Sequence, residues 1–388
     1  MSDVQLLFLV LVALYVWECA CWLRRGSIGF VTWLGRDWRA VHPGALAGNS
    51  NGGFILAAPL PPLGTLLIAN QLPLSLSPDG ALAFVATNVN PGWRPAQSGC
   101  FVRWGNLGAL QVRGKKLLVN GELFLVAATP GFARHLSVVL QRLVKLAPAQ
   151  REPAIAGMLR AMFDGRAIES RLREYQPRSP AVRRLGNALF LYLLVIGPGL
   201  IWHFGLGRTW LALLLGLLAL TFATATFFGR AHRALYPAAG DERFTHTLTI
   251  ALAPSSALRA HDALSRSLLE NFHPLAVAKH LLPDKEFRTF ARRVLLDLRH
   301  PARPLVPNEQ PEVAATEAYS RHALLAAAEE FLKQHGFAPD ELGRAPASAD
   351  DSCRSFCPRC DAQFTTSTGE CADCGGLAVV ELRRGAGR

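Results

Sequence analysis

Two apolar stretches decide the fold of this chain: Leu185–Gly205 reads LGNALFLYLLVIGPGLIWHFG, and Thr209–Phe228 reads TWLALLLGLLALTFATATFF. Each has about 20 residues, which is the length that an α-helix needs to cross the hydrocarbon core of a bilayer. The short connection between them contains Arg208, and Trp202 and Trp210 lie beside it, as aromatic side chains do at membrane–water interfaces. A buried helical hairpin of a soluble protein is the competing interpretation, but two such lengths in tandem favour a transmembrane hairpin.

A third apolar run extends from Leu6 to Leu23 and is interrupted only by Glu18. A cleaved signal peptide has a similar apolar run, but basic residues precede it, whereas here Arg24 and Arg25 follow the run. The sequence therefore predicts a retained anchor and three transmembrane helices.

Arginine is concentrated on one side of the predicted spans. The arginines that flank them are Arg24, Arg25, Arg36, Arg39, Arg171, Arg173, Arg178, Arg183, Arg184, Arg230 and Arg233. Basic loops stay in the cytoplasm, so we expect the N-terminus outside and the bulk of the chain, with the C-terminus, inside. The predicted location is the inner (plasma) membrane, where the lipid bilayer offers anionic headgroups to these arginines.

The 388 residues carry a formal net charge of +12, which fits either nucleic acid or an anionic membrane surface. No RRM, KH or helix-turn-helix signature is present, and much of the arginine flanks the apolar runs, so nucleic acid is the disfavoured partner. The predicted hairpin has no ionisable residue at mid-depth. A transport path needs such groups, so a transporter is disfavoured as well.

Residues 24–150 have the pattern of a small α+β module. Three short strands are predicted between Leu110 and Ala127, and Asn120-Gly121 is typical of a two-residue hairpin turn. Thr129 is the expected N-cap of an amphipathic helix that begins at Pro130. Further apolar stretches that predict strands are Phe54–Ala58, Thr65–Ala69 and Ala81–Ala86.

Residues 230–350 have a mostly helical pattern and are rich in histidine. The histidines are His232, His246, His261, His273, His280, His300, His322 and His335. None of them forms an H-x-x-x-H or HExxH pair, so the sequence predicts histidines scattered over the surface and helix caps, without a metal site.

Two closely spaced cysteine pairs form the one chemically specific motif. They are Cys357-Pro358-Arg359-Cys360 and Cys371-Ala372-Asp373-Cys374, and ten residues separate them. Four thiolates suit tetrahedral Zn²⁺. Rubredoxin-type iron would need more distant pairs, a redox dithiol would need only one pair, and disulfides do not suit the cytoplasm.

This motif resembles the short bacterial zinc ribbon, in which a CPxCG knuckle is followed by a second C-x-x-CG knuckle, over about residues 355–382. The resemblance implies a structural Zn²⁺ in a module that recognises protein or nucleic acid. Its implied ligands are Cys357, Cys360, Cys371 and Cys374. Asp361 departs from the pattern, which has glycine there, although aspartate tolerates a left-handed conformation. Cys353 is expected to be a spare thiol.

The predicted fold is a multidomain membrane protein with three transmembrane helices, a cytoplasmic α+β module, a helical segment and a C-terminal zinc ribbon. The predicted domains are an N-terminal transmembrane anchor (1–23), a cytoplasmic α+β module (24–150), a helical basic connector (151–184), a transmembrane helical hairpin (185–229), a cytoplasmic helical segment (230–305), a linker and helix (306–350), and a zinc ribbon with a basic tail (351–388).

The sequence contains no G-x-S-x-G elbow, no P-loop and no G-x-G-x-x-G fingerprint, and a metal bound by four thiolates leaves no position open for catalysis. We therefore expect a non-catalytic, membrane-anchored adaptor or regulator that binds a protein partner. A membrane-bound enzyme acting on a lipid or membrane protein is the second hypothesis, and it predicts a pocket of polar residues near the inner leaflet. A membrane-tethered nucleic-acid or ribosome contact is the third, and it predicts salt-dependent binding.

Overall fold

The structure is a computed structural model of the chain. It describes residues 5–6, 9–10, 13, 27–33, 37–41, 64–70, 72–86, 97–127, 129–300, 311–358, 361–374 and 376–382. The described chain is a mixed α+β protein, as predicted. It forms two compact units, which we call the hairpin unit (Met1–Gln71, Ala128–Phe132 and Gly165–Leu281) and the ribbon unit (Leu72–Ala127, Ala133–Asp164 and Leu282–Arg388).

The elements are numbered in chain order. The strands are β1 Ser27–Trp33, β2 Arg39–Val41, β3 Gly64–Asn70, β4 Leu74–Leu76, β5 Gly80–Ala86, β6 Gln97–Arg103, β7 Leu110–Arg113, β8 Lys116–Val119, β9 Glu122–Val126, β10 Ser355–Phe356, β11 Gln363–Phe364, β12 Glu370–Cys371, β13 Leu377–Ala378 and β14 Val380–Glu381. The helices are α1 Pro130–Val144, α2 Pro148–Ala161, α3 Gly165–Tyr175, α4 Ser179–Leu191, α5 Gly197–Phe204, α6 Leu206–Leu235, α7 Gly240–Leu252, α8 Pro254–Leu258, α9 Ala260–Ser265, α10 Pro274–Leu281, α11 Asp284–Arg299, α12 Pro311–Gln334 and α13 Pro339–Leu342. A π-helical turn, Tyr192–Ile196, joins α4 to α5.

The hairpin unit contains a three-stranded antiparallel sheet in the order β2-β1-β3. β1 pairs with β3 along its whole length, with Ser27 opposite Asn70. Phe30 and Val31 are neighbours in β1 and are both buried. Successive side chains of a strand point to opposite faces, so both faces of this sheet are covered at β1.

Two helical runs of the described chain are long and apolar enough to cross a membrane: Ser179–Phe204, which comprises α4, the π turn and α5, and Thr209–Leu235 within α6. Only 22% of the apolar window of each run is buried, whereas the core helices of a soluble protein would be mostly covered. These runs cover the two spans predicted for the hairpin, except for Gly205 at the end of the first span. Most of the predicted first span, Leu6–Leu23, lies outside the described residues.

The two runs approach each other closely at Tyr192. Its hydroxyl donates a hydrogen bond of 2.7 Å to the carbonyl oxygen of Leu213 in α6. A Cβ atom at Gly216 would lie 2.5 Å from the same hydroxyl, so glycine is needed for this approach. The π turn begins at Tyr192, and the N–H of Gly197 bonds to the Tyr192 carbonyl, directly before Pro198, which has no N–H to donate. The run therefore leaves α-helical geometry at the predicted Gly-Pro-Gly interruption.

Helix α7 packs against the last turns of α6 in an antiparallel sense. The Thr247 Oγ1 atom lies 3.3 Å from the place where a Cβ of Gly229 would be, and the rings of His232 and His246 are 6.3 Å apart. The chain then turns into α8, whose last carbonyl, at Leu258, faces α4. The contact with α4 is the backbone of Gly186, where an added Cβ would lie 3.2 Å from that oxygen.

The ribbon unit contains two three-stranded antiparallel sheets in the orders β4-β5-β6 and β7-β8-β9. The β8–β9 turn is formed by Asn120 and Gly121 with φ angles of +54° and +88°, as expected for a two-residue hairpin of this sequence. The three strands predicted between Leu110 and Ala127 are thus confirmed. The strands predicted at Thr65–Ala69 and Ala81–Ala86 are β3 and β5, and Phe54–Ala58 lies outside the described residues.

The N-cap predicted for α1 is confirmed. The Thr129 hydroxyl accepts a hydrogen bond of 3.0 Å from the N–H of Phe132, which satisfies one of the unpaired donors of the first turn. Leu136, Leu140 and Leu143 are buried along the predicted apolar face.

Candidate functional site

The described part of the predicted zinc ribbon, residues 355–382, contains two small β-hairpins, and the first cysteine of each predicted pair lies at one of them. In the first hairpin β10 pairs with β11, and β10 also pairs with β14. In the second hairpin β12 pairs with β13. Cys357 directly follows β10, and Cys371 is the last residue of β12. Each C-x-x-C sequence therefore starts where a strand enters its turn.

Each turn has a backbone hydrogen bond to the carbonyl of its first cysteine, and the donor lies four residues after Cys357 but five residues after Cys371. In the first turn the N–H of Asp361 donates to the Cys357 carbonyl at 2.9 Å, and in the second the N–H of Gly376 donates to the Cys371 carbonyl at 3.0 Å. Both donors have left-handed backbones, with φ angles of +58° at Asp361 and +84° at Gly376. Asp361 thus adopts the conformation for which the zinc-ribbon pattern uses glycine.

Cys357 and Cys371 lie in one buried cluster. Their exposed fractions are 0% and 1%, and Leu377 completes the buried part, with Phe364 and Val379 packed against it. Cys360 lies outside the described residues, and nothing is described of the Cys374 side chain. Within the described residues, no three His, Cys, Asp or Glu side chains are grouped as metal ligands. The donor chemistry of two buried cysteines in similar turns fits a thiolate-bound metal.

A single arginine holds the ribbon against the helices of its unit. Arg292, on α11, contacts both carboxylate oxygens of Asp361 at 2.8 and 3.4 Å. The same guanidinium donates to the carbonyl oxygens of Leu342 and Arg344 at 2.8 and 2.5 Å. A planar fork that bonds a carboxylate twice fixes orientation as well as distance. Arg292 therefore fixes the first knuckle relative to α11 and α13.

Cys353, the fifth cysteine of this region, is half-buried. Its Sγ lies 3.7 Å from Oδ1 of Asp350. Hydrogen bonds from Ser352 lower the pKa of that carboxylate, so it is an anion at neutral pH. The prediction that Cys353 is a spare thiol stays a prediction.

A second group of polar residues, which the sequence analysis missed, is buried in the hairpin unit. Arg259 and Asp262 form an ion pair of 2.7 Å with exposed side-chain fractions of 0% and 5%. His261 Nε2 lies 2.8 Å from the hydroxyl of Tyr175. Burial, and then the charge of Asp262, raises the pKa of Tyr175, so its hydroxyl stays protonated and is no nucleophile.

Glu270 lies in the same unit, above the first turn of α1. Its carboxylate accepts a hydrogen bond from the Thr129 hydroxyl, and a Cβ at Gly131 would lie 2.7 Å from its Oε1. Burial raises the pKa of Glu270 to about 7, against the opposing effect of the Thr129 hydrogen bond, and nearby Glu242 raises it further. This carboxyl therefore changes charge near neutral pH.

The prediction of surface and cap histidines is wrong for His232 and His261, which are buried. His273 is a helix cap, since its Nδ1 accepts a hydrogen bond of 3.2 Å from the N–H of Leu275 at the start of α10. It is a buried cap, however, and burial lowers the pKa of its imidazole to about 3. The sequence signal for the buried ion pair and His261 was the placement of Arg259, His261 and Asp262 among apolar residues, in the stretch ALRAHDAL at 257–264.

These buried groups fit a supporting network better than a reaction site. The Ser265 hydroxyl donates to the Leu66 carbonyl of β3 at 2.7 Å, and the Tyr236 hydroxyl donates to the Leu264 carbonyl at 2.7 Å. The network thereby ties α9 to the sheet and to the residue that follows α6. Buried polar groups that bond to one another and to backbone carbonyls rigidify a fold.

A cavity of about 430 Å³ lies in the ribbon unit, between β6 and the β8–β9 hairpin. Arg103 and Glu312 form an ion pair at its wall, and Cys100 also lines it. Burial, and then the charge of Glu122, raises the pKa of the Cys100 thiol. A protonated thiol is a poor nucleophile, so this cavity offers no activated cysteine.

Comparison of the chain with protein-family models, with curated proteins and with solved structures found no match.

Proposed function

We propose that this protein is a non-catalytic, membrane-anchored adaptor whose zinc-stabilised ribbon binds a protein partner. In this proposal a structural Zn²⁺ is held by the thiolates of Cys357, Cys360, Cys371 and Cys374. The metal stabilises a ribbon that is too small to bury a sufficient core of its own. Four protein ligands close the coordination sphere, so the ion has no role in activating water.

The observation that supports the metal assignment is the similarity of the two knuckles, whose closing hydrogen bonds differ by one residue in span. Both turns close with an N–H bond to the carbonyl of the first cysteine, both have a left-handed residue at that donor, and both bury that cysteine. Such repetition is expected when two turns contribute to one tetrahedral site. It has no evident purpose in a ribbon held together by side-chain packing alone.

The charge of the ribbon favours a basic protein surface as its partner. Residues 355–382 contain the four carboxylates of Asp361, Glu370, Asp373 and Glu381 against the single cation Arg359. Four thiolates around a divalent ion would add a net charge of about −2. An acidic module repels nucleic-acid phosphates and attracts lysine and arginine, although the tail that follows is basic.

The proposed membrane placement follows the predicted topology. The two apolar runs, Ser179–Phe204 and Thr209–Leu235, would cross the inner (plasma) membrane, and Leu6–Leu23 would be the third span. Trp202 and Trp210 are exposed beside the connection between the runs, where an outer interface would lie. The ribbon would then be held in the cytoplasm at the membrane surface.

Zinc content and partner capture test the proposal together. Full-length protein in mild detergent would be compared as wild type, as Cys357→Ser/Cys371→Ser, and as Cys100→Ser, which also loses a thiol but outside the ribbon. We expect about one Zn²⁺ per chain in the wild type and in Cys100→Ser, and none in the double variant. A protein partner should co-purify with the two zinc-containing forms, be absent from the double variant, and be released by salt.

Different results would remove different parts of the proposal. Zinc retained by the double variant would show that the ligand set is wrong. Zinc lost without any change in the captured proteins would exclude the ribbon as the binding module. Capture of RNA in place of protein would favour the nucleic-acid hypothesis.

A further inference from the structure

Helix α7 has an apolar face that the rest of the described chain leaves exposed. Phe244, Leu248 and Leu252 are spaced four residues apart, so they lie on one side of the helix. Their exposed fractions are 70%, 47% and 70%. No charged residue follows Arg243 within α7. Three large apolar side chains on one helix face need a partner other than water.

The contacts between α7 and α6 show which residues of α6 lie at the same level as this apolar face. Thr247 lies beside Gly229, and the two helices are antiparallel, so each residue further along α7 lies one residue further back along α6. Leu252 is therefore level with about Thr224, which is six residues inside Arg230. At 1.5 Å per residue this is about 9 Å towards the middle of the apolar run.

The α6 surface at the same depth is also apolar and exposed. Phe222 and Phe227 are exposed large side chains there, and Thr209–Leu235 is one of the two runs that are apolar enough to cross a membrane. Arg230 and Arg233 are exposed on the following turns of α6. On both helices the arginines therefore lie at one level, and the exposed apolar side chains lie further towards the middle of the apolar run.

Two backbone amides at this depth are bonded inside the protein, as an apolar environment requires. The N–H of Ala253, between α7 and α8, donates to the Thr249 carbonyl at 2.8 Å, and the N–H of Ala257 donates to the Ala253 carbonyl at 3.0 Å. The chain returns along α4, where Gly186 leaves room for the backbone of Leu258. Helices α7 and α8 therefore form a short helical pair that packs against α6 and α4.

We propose that α7 enters the cytoplasmic leaflet of the bilayer and buries Leu248 and Leu252 among phospholipid acyl chains, with Phe244 at the boundary between headgroups and acyl chains. Arg230, Arg233 and Arg243 then lie at the level of the anionic headgroups. The proposal rests on the proposed insertion of the hairpin. It adds a membrane-embedded element that does not span the bilayer and is absent from the predicted topology.

Photo-crosslinking in intact membranes tests this placement. The photoreactive residue p-benzoylphenylalanine would replace Leu252 in the full-length chain. Parallel variants would carry it at Leu215, an exposed residue in the middle of α6, and at Val138, an exposed apolar residue of α1 in the ribbon unit. We expect phospholipid adducts at Leu252 and Leu215, identified by mass spectrometry of the purified chain. No such adducts are expected at Val138.

The reference positions separate the two proposals. Lipid adducts at Leu215 without any at Leu252 would overturn the immersion of α7 and leave the hairpin in the membrane. Adducts of Leu252 with a second copy of the chain or with another protein would also overturn it. A lack of lipid adducts at Leu215 would instead remove the membrane insertion on which the inference rests.

Discussion

Asp361 has two roles in the ribbon, and each depends on a different property of the residue. Its backbone has a φ of +58°, a conformation that costs most side chains about 1–2 kcal/mol but that aspartate tolerates. Its carboxylate accepts both bonds of Arg292. A glycine would meet the first requirement and lose the second, so the departure from the zinc-ribbon pattern fits the docking of this particular ribbon.

The docking contact can be tested with paired substitutions. Asp361→Asn keeps a residue that tolerates the left-handed backbone and removes the charge. Arg292→Ala removes the ion pair and also the hydrogen bonds to the carbonyl oxygens of Leu342 and Arg344. Both variants should raise amide hydrogen exchange in residues 355–382, and Arg292→Ala should raise it more. Exchange at the wild-type rate in both variants would mean that the ion pair does not hold the ribbon.

Glu270 predicts a pH-dependent stability. Burial raises its pKa from 4.5 to about 7 in the folded protein, so the folded state binds the proton more tightly than the unfolded state does. The associated stability is fully present below the unfolded pKa and is lost as the pH rises through about 7. The difference amounts to about 3 kcal/mol at high pH.

The amide of Glu270→Gln cannot ionise, so this variant should melt less steeply with pH. Melting temperatures in detergent would be compared between about pH 5 and about pH 8 for wild type, Glu270→Gln and the exposed control Glu341→Gln. We expect the wild type and the control to lose stability over this range relative to Glu270→Gln. Parallel curves for all three proteins would exclude Glu270 as the titrating group.

At the scale of elements, the contact between Tyr192 and Gly216 sets how closely the two apolar runs pack. Gly216→Ala places a methyl group 2.5 Å from the Tyr192 hydroxyl, and such overpacking destabilises by about 1–3 kcal/mol. In a Tyr192→Phe background the clash with the hydroxyl is absent, and the better helix propensity of alanine should offset part of the loss. The double-mutant cycle, measured by thermal unfolding in detergent, should therefore show coupling between the two positions.

If the cycle shows no coupling, the contact between Tyr192 and Gly216 does not set the distance between the two runs. Gly207→Ala is a matched control, because an added Cβ there meets nothing within 4 Å. This control should leave the melting temperature close to that of the wild type.

The elements that were predicted correctly have strong local signals. Asn120-Gly121 specifies its hairpin turn by backbone conformation alone, and Thr129 followed by Pro130 specifies the start of α1. β1 was missed because its consecutive buried residues Phe30 and Val31 do not alternate with polar ones. A strand covered on both faces lacks the alternation of polar and apolar residues. It is recognised from the strands that pair with it, and these can be distant in the sequence.

The candidate site shows the same division between local and distant signals. The cysteine pairs are visible in the sequence because each predicted knuckle is a local turn. The contact between Thr129 and Glu270 joins residues 141 positions apart, and no spacing rule connects them. Arg292 and Asp361, 69 positions apart, are likewise paired only by the fold.

At the scale of the whole molecule, the two compact units are each built from separate stretches of sequence. A linear list of domains does not represent such an arrangement. The ribbon belongs to one unit and the two apolar runs belong to the other. Zinc removal should therefore affect the two parts of the protein differently.

We expect a zinc chelator to open the ribbon and leave membrane association unchanged. Limited proteolysis should produce new cleavage within residues 351–382 after chelation, while the chain still resists alkaline carbonate extraction from membranes. Re-addition of Zn²⁺ should restore protection, and Mg²⁺ should not, because it prefers oxygen ligands. Release of the chain from the membrane after chelation would contradict the separation of the two parts.

Helix α6 is longer than a bilayer requires. Its 30 residues extend about 45 Å, against about 30 Å of hydrocarbon core. The Arg171 side chain, on α3, donates to the Leu235 carbonyl at the end of this helix and lies over the ring of Tyr236, so α3 moves with that end. Transmembrane helices tilt when bilayer thickness changes, and a rigid helix that projects beyond the lipid acts as a lever. In the proposed membrane placement, a thinner bilayer would therefore tilt α6 further, and α3 would shift sideways with the end of α6 to which it is bonded.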